Sequence, residues 1–285
     1  MHHNIGTTSK LMRPIARVSI IGLLALTQLA SVLVSASAAQ TTAPPSKAEL
    51  AEITRRGRLL AEYDVAAWHA TDAVKALKPV DGIVTHYIAR KTDTGRVVVF
   101  GRLANDDQSF LAAFEAVQTS TPTNFSVKVN EPPTSLTGYF LNAAYAIDLA
   151  RRNFTEFSRP YNVAVIPTGT GDWWVYLVPA PTLPGVWSHG ADIRFRVAAD
   201  GKTLLETRRL HKGLIEYTTA RSDEELKYHF HTHMLDDGPV DTDVFIVLVR
   251  KPAVSEFIVS EKFVFVVEVD GTIAYLGTSK DILKR

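Results

Sequence analysis

Cysteine is absent from all 285 residues. A disulfide framework, a Cys-ligated zinc, an iron–sulfur cluster and a thiol nucleophile are therefore all excluded. A glycine-rich phosphate loop of either standard type is missing too, and nucleotide binding has nothing to rest on. No Gly-x-Ser-x-Gly elbow marks a serine nucleophile. Nor is there an excess of charge of one sign, since 31 Lys+Arg stand against 30 Asp+Glu for a formal net charge of +1. What remains is an ordinary globular composition, 46% hydrophobic and 21% charged, which excludes both intrinsic disorder and a fibrous repeat.

The small positive excess sits at the N-terminus. Lys10, Arg13 and Arg17 precede the apolar run Ile20 to Val34, which ends in the small residues Ala36-Ser37-Ala38. This is the three-part pattern of a secretory signal peptide over residues 1–38, cleaved by signal peptidase. The strongly apolar stretch falls short of the roughly 20 residues a transmembrane helix needs. With no later stretch apolar enough, no integral membrane segment is expected after cleavage. Removing residues 1–38 leaves 28 basic and 30 acidic residues. A slightly acidic chain is not a partner for nucleic acid. The expected location is periplasmic or extracellular, with an unidentified partner there.

After a Thr/Pro-rich linker over residues 39–45, a single domain is expected over residues 46–285, helix-rich in 46–157 and strand-rich in 158–285. Ser46-Lys47-Ala48-Glu49 reads as a capping box that opens a helix, with Leu50, Ile53, Leu60, Ala67 and Trp68 near one face and Gly57 a weak spot. A second short helix is predicted over Thr71 to Leu77, and further helices over Phe110 to Val117 and Leu136 to Phe154. Ile83 to Arg90 and Val97 to Arg102 predict a hairpin around Thr92-Asp93-Thr94-Gly95. Further strands are predicted over Asn162 to Ile166, Trp173 to Val178, Ile193 to Ala198, Thr203 to Leu210, Phe245 to Val249, Phe263 to Val269 and Thr272 to Leu276. Hairpins with short glycine turns argue for an antiparallel sheet, and the segregation of helices argues for an α+β fold with N-terminal helices on one sheet face.

One run carries chemistry. In Tyr228-His229-Phe230-His231-Thr232-His233 the histidines are spaced by two, so a strand there projects His229, His231 and His233 on one side. Asp236, Asp237, Asp241 and Asp243 follow within ten residues. Imidazoles on one face with a nearby carboxylate are the donor set of zinc, and a position left for water would make the site hydrolytic. Elsewhere the ordinary readings prevail. His211 beside Arg208-Arg209 is read as a solvated basic edge, Trp173-Trp174 as packing, and His69 with Asp72 as a structural pair.

His231-Thr232-His233, Pro239 and Asp243 resemble the zinc motif of the JAMM (MPN-domain) metalloproteases, in which a His-x-His pair and a downstream aspartate hold the metal. The resemblance spans residues 231–243 and implies His231, His233 and Asp243 as ligands, with His229 as a fourth or supporting group. Met234 and Val240 replace that motif's usual proline and serine, and Glu206 and Glu216 are the glutamates available upstream. The block from Arg209 to Val244 is also similar to uncharacterised secreted bacterial proteins. Two functions are thus expected: a non-enzymatic envelope or binding module, or a zinc-dependent hydrolase of peptide or cell-wall material.

Overall fold

The computed structural model describes residues 43–155, 159–218 and 228–284. The expected leader and the first part of the linker lie outside the described residues. The chain opens with α1 (Lys47–Lys75) behind the capping box read from the sequence: the Ser46 amide donates to Glu49 Oε2 at 2.8 Å, and the Glu49 amide to Ser46 Oγ at 3.3 Å. The helix is continuous across Thr71, where a separate helix was expected, because neither proline nor glycine falls between Trp68 and Lys75. Its buried face is Leu50, Leu60, Ala61, Tyr63, Ala66, Ala70 and Val74, and Trp68 lies outside it, 53% exposed.

Four strands follow as an antiparallel meander: β1 (His86–Thr92), β2 (Gly95–Leu103), β3 (Phe110–Gln118) and β4 (Phe125–Leu136). β3 is the segment expected to be helical. It is a central strand covered on both faces, with Ala113 and Ala116 in the core beneath α1 and Phe110 and Ala112 in the core beneath the next helix. A two-sided strand with an irregularity between Ala112 and Phe114 loses the polar alternation that would have marked it. That next helix, α2 (Tyr139–Asn153), buries Ala143, Ala144, Ala146, Ile147 and Ala150.

The second antiparallel sheet has the order β5-β6-β8-β9, from β5 (Tyr161–Pro167), β6 (Trp173–Pro179), β8 (Ile193–Val197) and β9 (Leu204–Arg209). Between β6 and β8, β7 (Val186–Gly190) leaves to pair with β10 (Leu214–Thr218) as a two-stranded ribbon. Then β11 (Tyr228–Thr232) leads into α3 (Asp241–Val249), and β12 (Ser255–Val259) returns parallel to β11, followed by antiparallel β13 (Phe263–Val267) and β14 (Ile273–Thr278) and the short α4 (Ser279–Ile282).

The fold is α+β with antiparallel sheets and α1 packed against them. α3 is a further departure from expectation, since Phe245 to Val249 reads as a strand. Asp241 to Val247 are buried on every side, so no amphipathic period shows, and tertiary packing overrides the β preference of Val, Phe and Ile. Gly57 explains how α3 docks: a Cβ there would stand 2.4 Å from Val244 Cβ and 2.6 Å from Asp241 O. The predicted weak spot in α1 is the point where the two helices touch. Among the described residues no helix is long and apolar enough to cross a membrane.

Candidate metal centre

The β11–α3–β12 crossover brings the end of a strand to the start of a helix. His231 lies on β11, His233 just beyond it, and Asp243 in the first turn of α3. The ribbon supplies the rest. His189 on β7 stands opposite Ile215, and the chain then reverses through Gly190 (φ 89°) and Ala191 (φ 50°). Gly190 allows that reversal, because a Cβ there would sit 2.2 Å from Gly213 O. The Ala191 amide donates to Gly213 O (2.7 Å) and the Leu210 amide to Asp192 O (3.0 Å), which sets the 189–192 and 210–213 segments side by side. His211 thereby meets His189 edge to face, ring centroids 4.8 Å apart.

Four imidazoles and one carboxylate converge. From Asp243 Oδ1, the Nε2 atoms of His211, His189 and His231 lie at 3.0, 3.2 and 3.3 Å. His233 Nε2 lies 3.3 Å from Asp243 Oδ2 and 3.1 Å from His211 Nε2. Donor atoms of His189, His211, His231 and Asp243 all fall within 4.8 Å of one another, and all four residues are buried. This group could hold a metal ion.

The far sides of three of the four rings are tied down. Asp192 Oδ1 is 2.7 Å from His211 Nδ1, Glu256 Oε1 is 2.8 Å from His231 Nδ1, and Gly238 O is 2.8 Å from His233 Nδ1. Each oxygen accepts the Nδ1 proton and so turns the Nε2 lone pair of its ring inward. Glu256 is itself held by the Tyr217 hydroxyl (2.7 Å) and Arg250 (2.9 Å), and Asp243 Oδ2 accepts the Val240 amide at 2.6 Å. One inward atom, the buried Nε2 of His231, makes no hydrogen bond.

Charge explains the electrostatics. Asp192, Asp243 and Glu256 are buried around the site, and Arg250 is the permanent cation in contact with Glu256. With neutral imidazoles the cluster carries a net charge of about −2, which burial makes costly. Burial alone would lower the His211 and His231 pKa values, yet the carboxylates win: Asp192 and Asp243 hold His211 well above its ordinary range, and the Asp243 and Glu256 carboxylates lift His231 to about 9. Burial likewise opposes ionisation of Asp243, but the neighbouring imidazoles His233 and His211 pull it well below the carboxylate range. The cluster demands positive charge.

His231, His233 and Asp243, the residues carried by the sequence motif, are brought together here. His229 stands apart, its ring edge-on to Tyr217 at 4.1 Å, and burial lowers its pKa. His189 and His211 were not anticipated as donors. Each is a lone histidine in its own segment, and only the 190–213 contact makes them neighbours. Of the two available glutamates, Glu206 pairs with Arg194 and Glu216 with Arg159. The imidazoles open onto a cavity of about 180 Å³, and no Asp or Glu is among its lining residues. No protein-family model, curated protein or solved structure matches this chain.

Proposed function

We propose that this is a metal-binding protein of the periplasm or extracellular space, holding one first-row divalent ion, with zinc preferred. His189, His211, His231 and Asp243 are the ligands and His233 is a fifth donor. The observation that carries this reading is the inward convergence of four Nε2 atoms, with the rings of His211, His231 and His233 already committed at Nδ1. The separations of 3.0 to 3.3 Å from Asp243 Oδ1 to the His211, His189 and His231 Nε2 atoms match ligand–ligand edges for metal bonds about 2.0–2.1 Å long, roughly 2.9–3.4 Å, and the four donors together fall within 4.8 Å of one another. Without a cation, lone pairs would face one another, as at His211 and His233. Charge supports the same conclusion, because a divalent ion offsets the excess of two buried carboxylates over Arg250. A set of nitrogen and oxygen donors without thiolate suits zinc and its first-row neighbours. A leader-like N-terminus supports export.

Binding rather than hydrolysis is the favoured role. Asp192 and Glu256 are occupied by imidazole N–H groups, and no carboxylate is among the residues that line the cavity. A zinc hydrolase, as the JAMM resemblance implies, is the second reading, and the cavity over the imidazoles is what favours it. The ion would there supply Lewis acidity, with the protein orienting the ligands.

Elemental analysis of the purified full chain tests the proposal. About one metal per chain is expected, lost in His211→Ala and His231→Ala variants that retain the far-UV circular dichroism of the parent. Protein that is metal-free as purified and fails to take up zinc overturns it.

A further inference from the structure

The cavity above the imidazoles is chemically divided. Its floor is the four rings, its walls are Leu210, Leu214, Ile215 and Met234, and Lys212 stands at its mouth. Leu214, Ile215 and Met234 are 37, 39 and 71% exposed. Three large apolar side chains around one opening form a patch, whereas isolated exposed apolar residues need no explanation. The floor carries the opposite character. A divalent ion there balances the buried carboxylates and offers a Lewis-acidic face to the cavity, and Lys212 supplies the uncompensated positive charge. No carboxylate among the lining residues opposes it.

We propose that the site takes a small organic anion, a monocarboxylate with a short aliphatic tail, as the exogenous ligand of its metal. The carboxylate meets the metal side of the floor and Lys212, and the tail lies along the Leu210, Leu214, Ile215 and Met234 wall. Size agrees with this. At interior packing density, a cavity of 180 Å³ holds roughly 130 Å³ of ligand atoms, an acid of about five carbons. Neutral ligands lose the charge term and longer tails do not fit. This inference rests on the metal reading above.

Cobalt(II) substitution tests both separately, because its visible bands report the metal's coordination. Titrating the cobalt protein with sodium pentanoate should shift those bands saturably. Acetate should bind about tenfold more weakly for want of the apolar contact, pentanamide should leave the bands unchanged, and Lys212→Met should weaken pentanoate about fivefold to tenfold. If cobalt is held but pentanoate leaves the bands unmoved, the inference is overturned and the metal reading stands. If pentanamide acts as strongly as pentanoate, the anion preference is overturned. If cobalt is not taken up at all, the metal reading itself fails.

Discussion

Asp241 and Asp243 lie two residues apart in the first turn of α3, both buried to within 1% exposure, and meet opposite surroundings. Two residues along an α-helix are about 200° of rotation, so the two carboxylates point to different sides. Asp241 is met by Arg56 Nε (2.8 Å), an Arg194 guanidinium nitrogen (2.5 Å) and the Tyr176 hydroxyl (2.9 Å), and Arg194 is stacked on Trp174 at 4.3 Å. Asp243 is met by imidazoles and one amide. A guanidinium never gives up its charge, so the Asp241 side is neutralised permanently and fastens α3 to α1 and β8. An imidazole is neutral or charged according to what binds it. The Asp243 side therefore leaves its compensating cation exchangeable, and a proton or a metal can fill the role. One carboxylate fastens the fold, and its neighbour faces the group that could hold a metal ion.

Breaking the permanent side has the largest effect. Asp241→Ala leaves Arg194 buried without its main partner, which costs about 3–5 kcal/mol. Urea unfolding should show that loss with or without zinc; a cost below about 1 kcal/mol would refute the fastening role. The exchangeable side responds differently. Zinc at a hundred times its Kd should stabilise the parent by about 2.7 kcal/mol, by linkage. Asp243→Ala should abolish that increment, and Asp241→Ala should retain it wherever the variant is folded. Equal zinc stabilisation of the parent and Asp243→Ala would remove the distinction between the two carboxylates.

Part of this comparison was legible in the sequence. Spacing by two along β11 pointed His231 inward, and the short link to Asp243 was visible as a motif. Asp241 was grouped with Asp243 as one more acid in a run, because sequence proximity does not reveal that helical rotation separates them. α3 itself was hidden, since a helix buried on all sides shows no periodicity. The capping box of α1 was readable because both partners are local, at Ser46 and Glu49. His189, His211, Asp192 and Glu256 could not be found in the same way, since the ribbon crossing and the parallel β11–β12 pair that assemble them are long-range. Gly57 carried a signal that points two ways: a helix-weakening residue is also the one that admits close helix contact, and the sequence names no partner for it.

A third acid extends the comparison to a site with no cation at all. Asp64, in α1, is withdrawn from water against Tyr87, and desolvation alone raises its pKa to about 6. A carboxyl raised in the folded state favours folding while protonated. Its contribution is complete below the unfolded value near 4 and is lost as pH rises toward 6. Asp64→Asn removes the buried charge and should therefore gain on the order of 2 kcal/mol over the parent at pH 8, shrinking to nothing near pH 3.5. Denaturant unfolding of the pair at both pH values checks this. A gain independent of pH would mean that the substitution acts through packing.

The smallest effect is expected at His229, and it sharpens the boundary of the exchangeable site. It shares β11 with His231, and the same spacing by two continues to His233 just beyond the strand, so alternation alone makes it a ligand. In the structure its ring spends its contact on Tyr217, the same residue whose hydroxyl steadies Glu256. His229→Ala should leave zinc affinity within about twofold and cost about 1 kcal/mol or less of stability from the lost ring contact. His231→Ala, two residues away, should lose the metal. Competition titration with a chromogenic chelator distinguishes the two. A tenfold loss in His229→Ala would place His229 among the groups that hold the metal and make strand alternation, rather than convergence on Asp243, the rule that selects them.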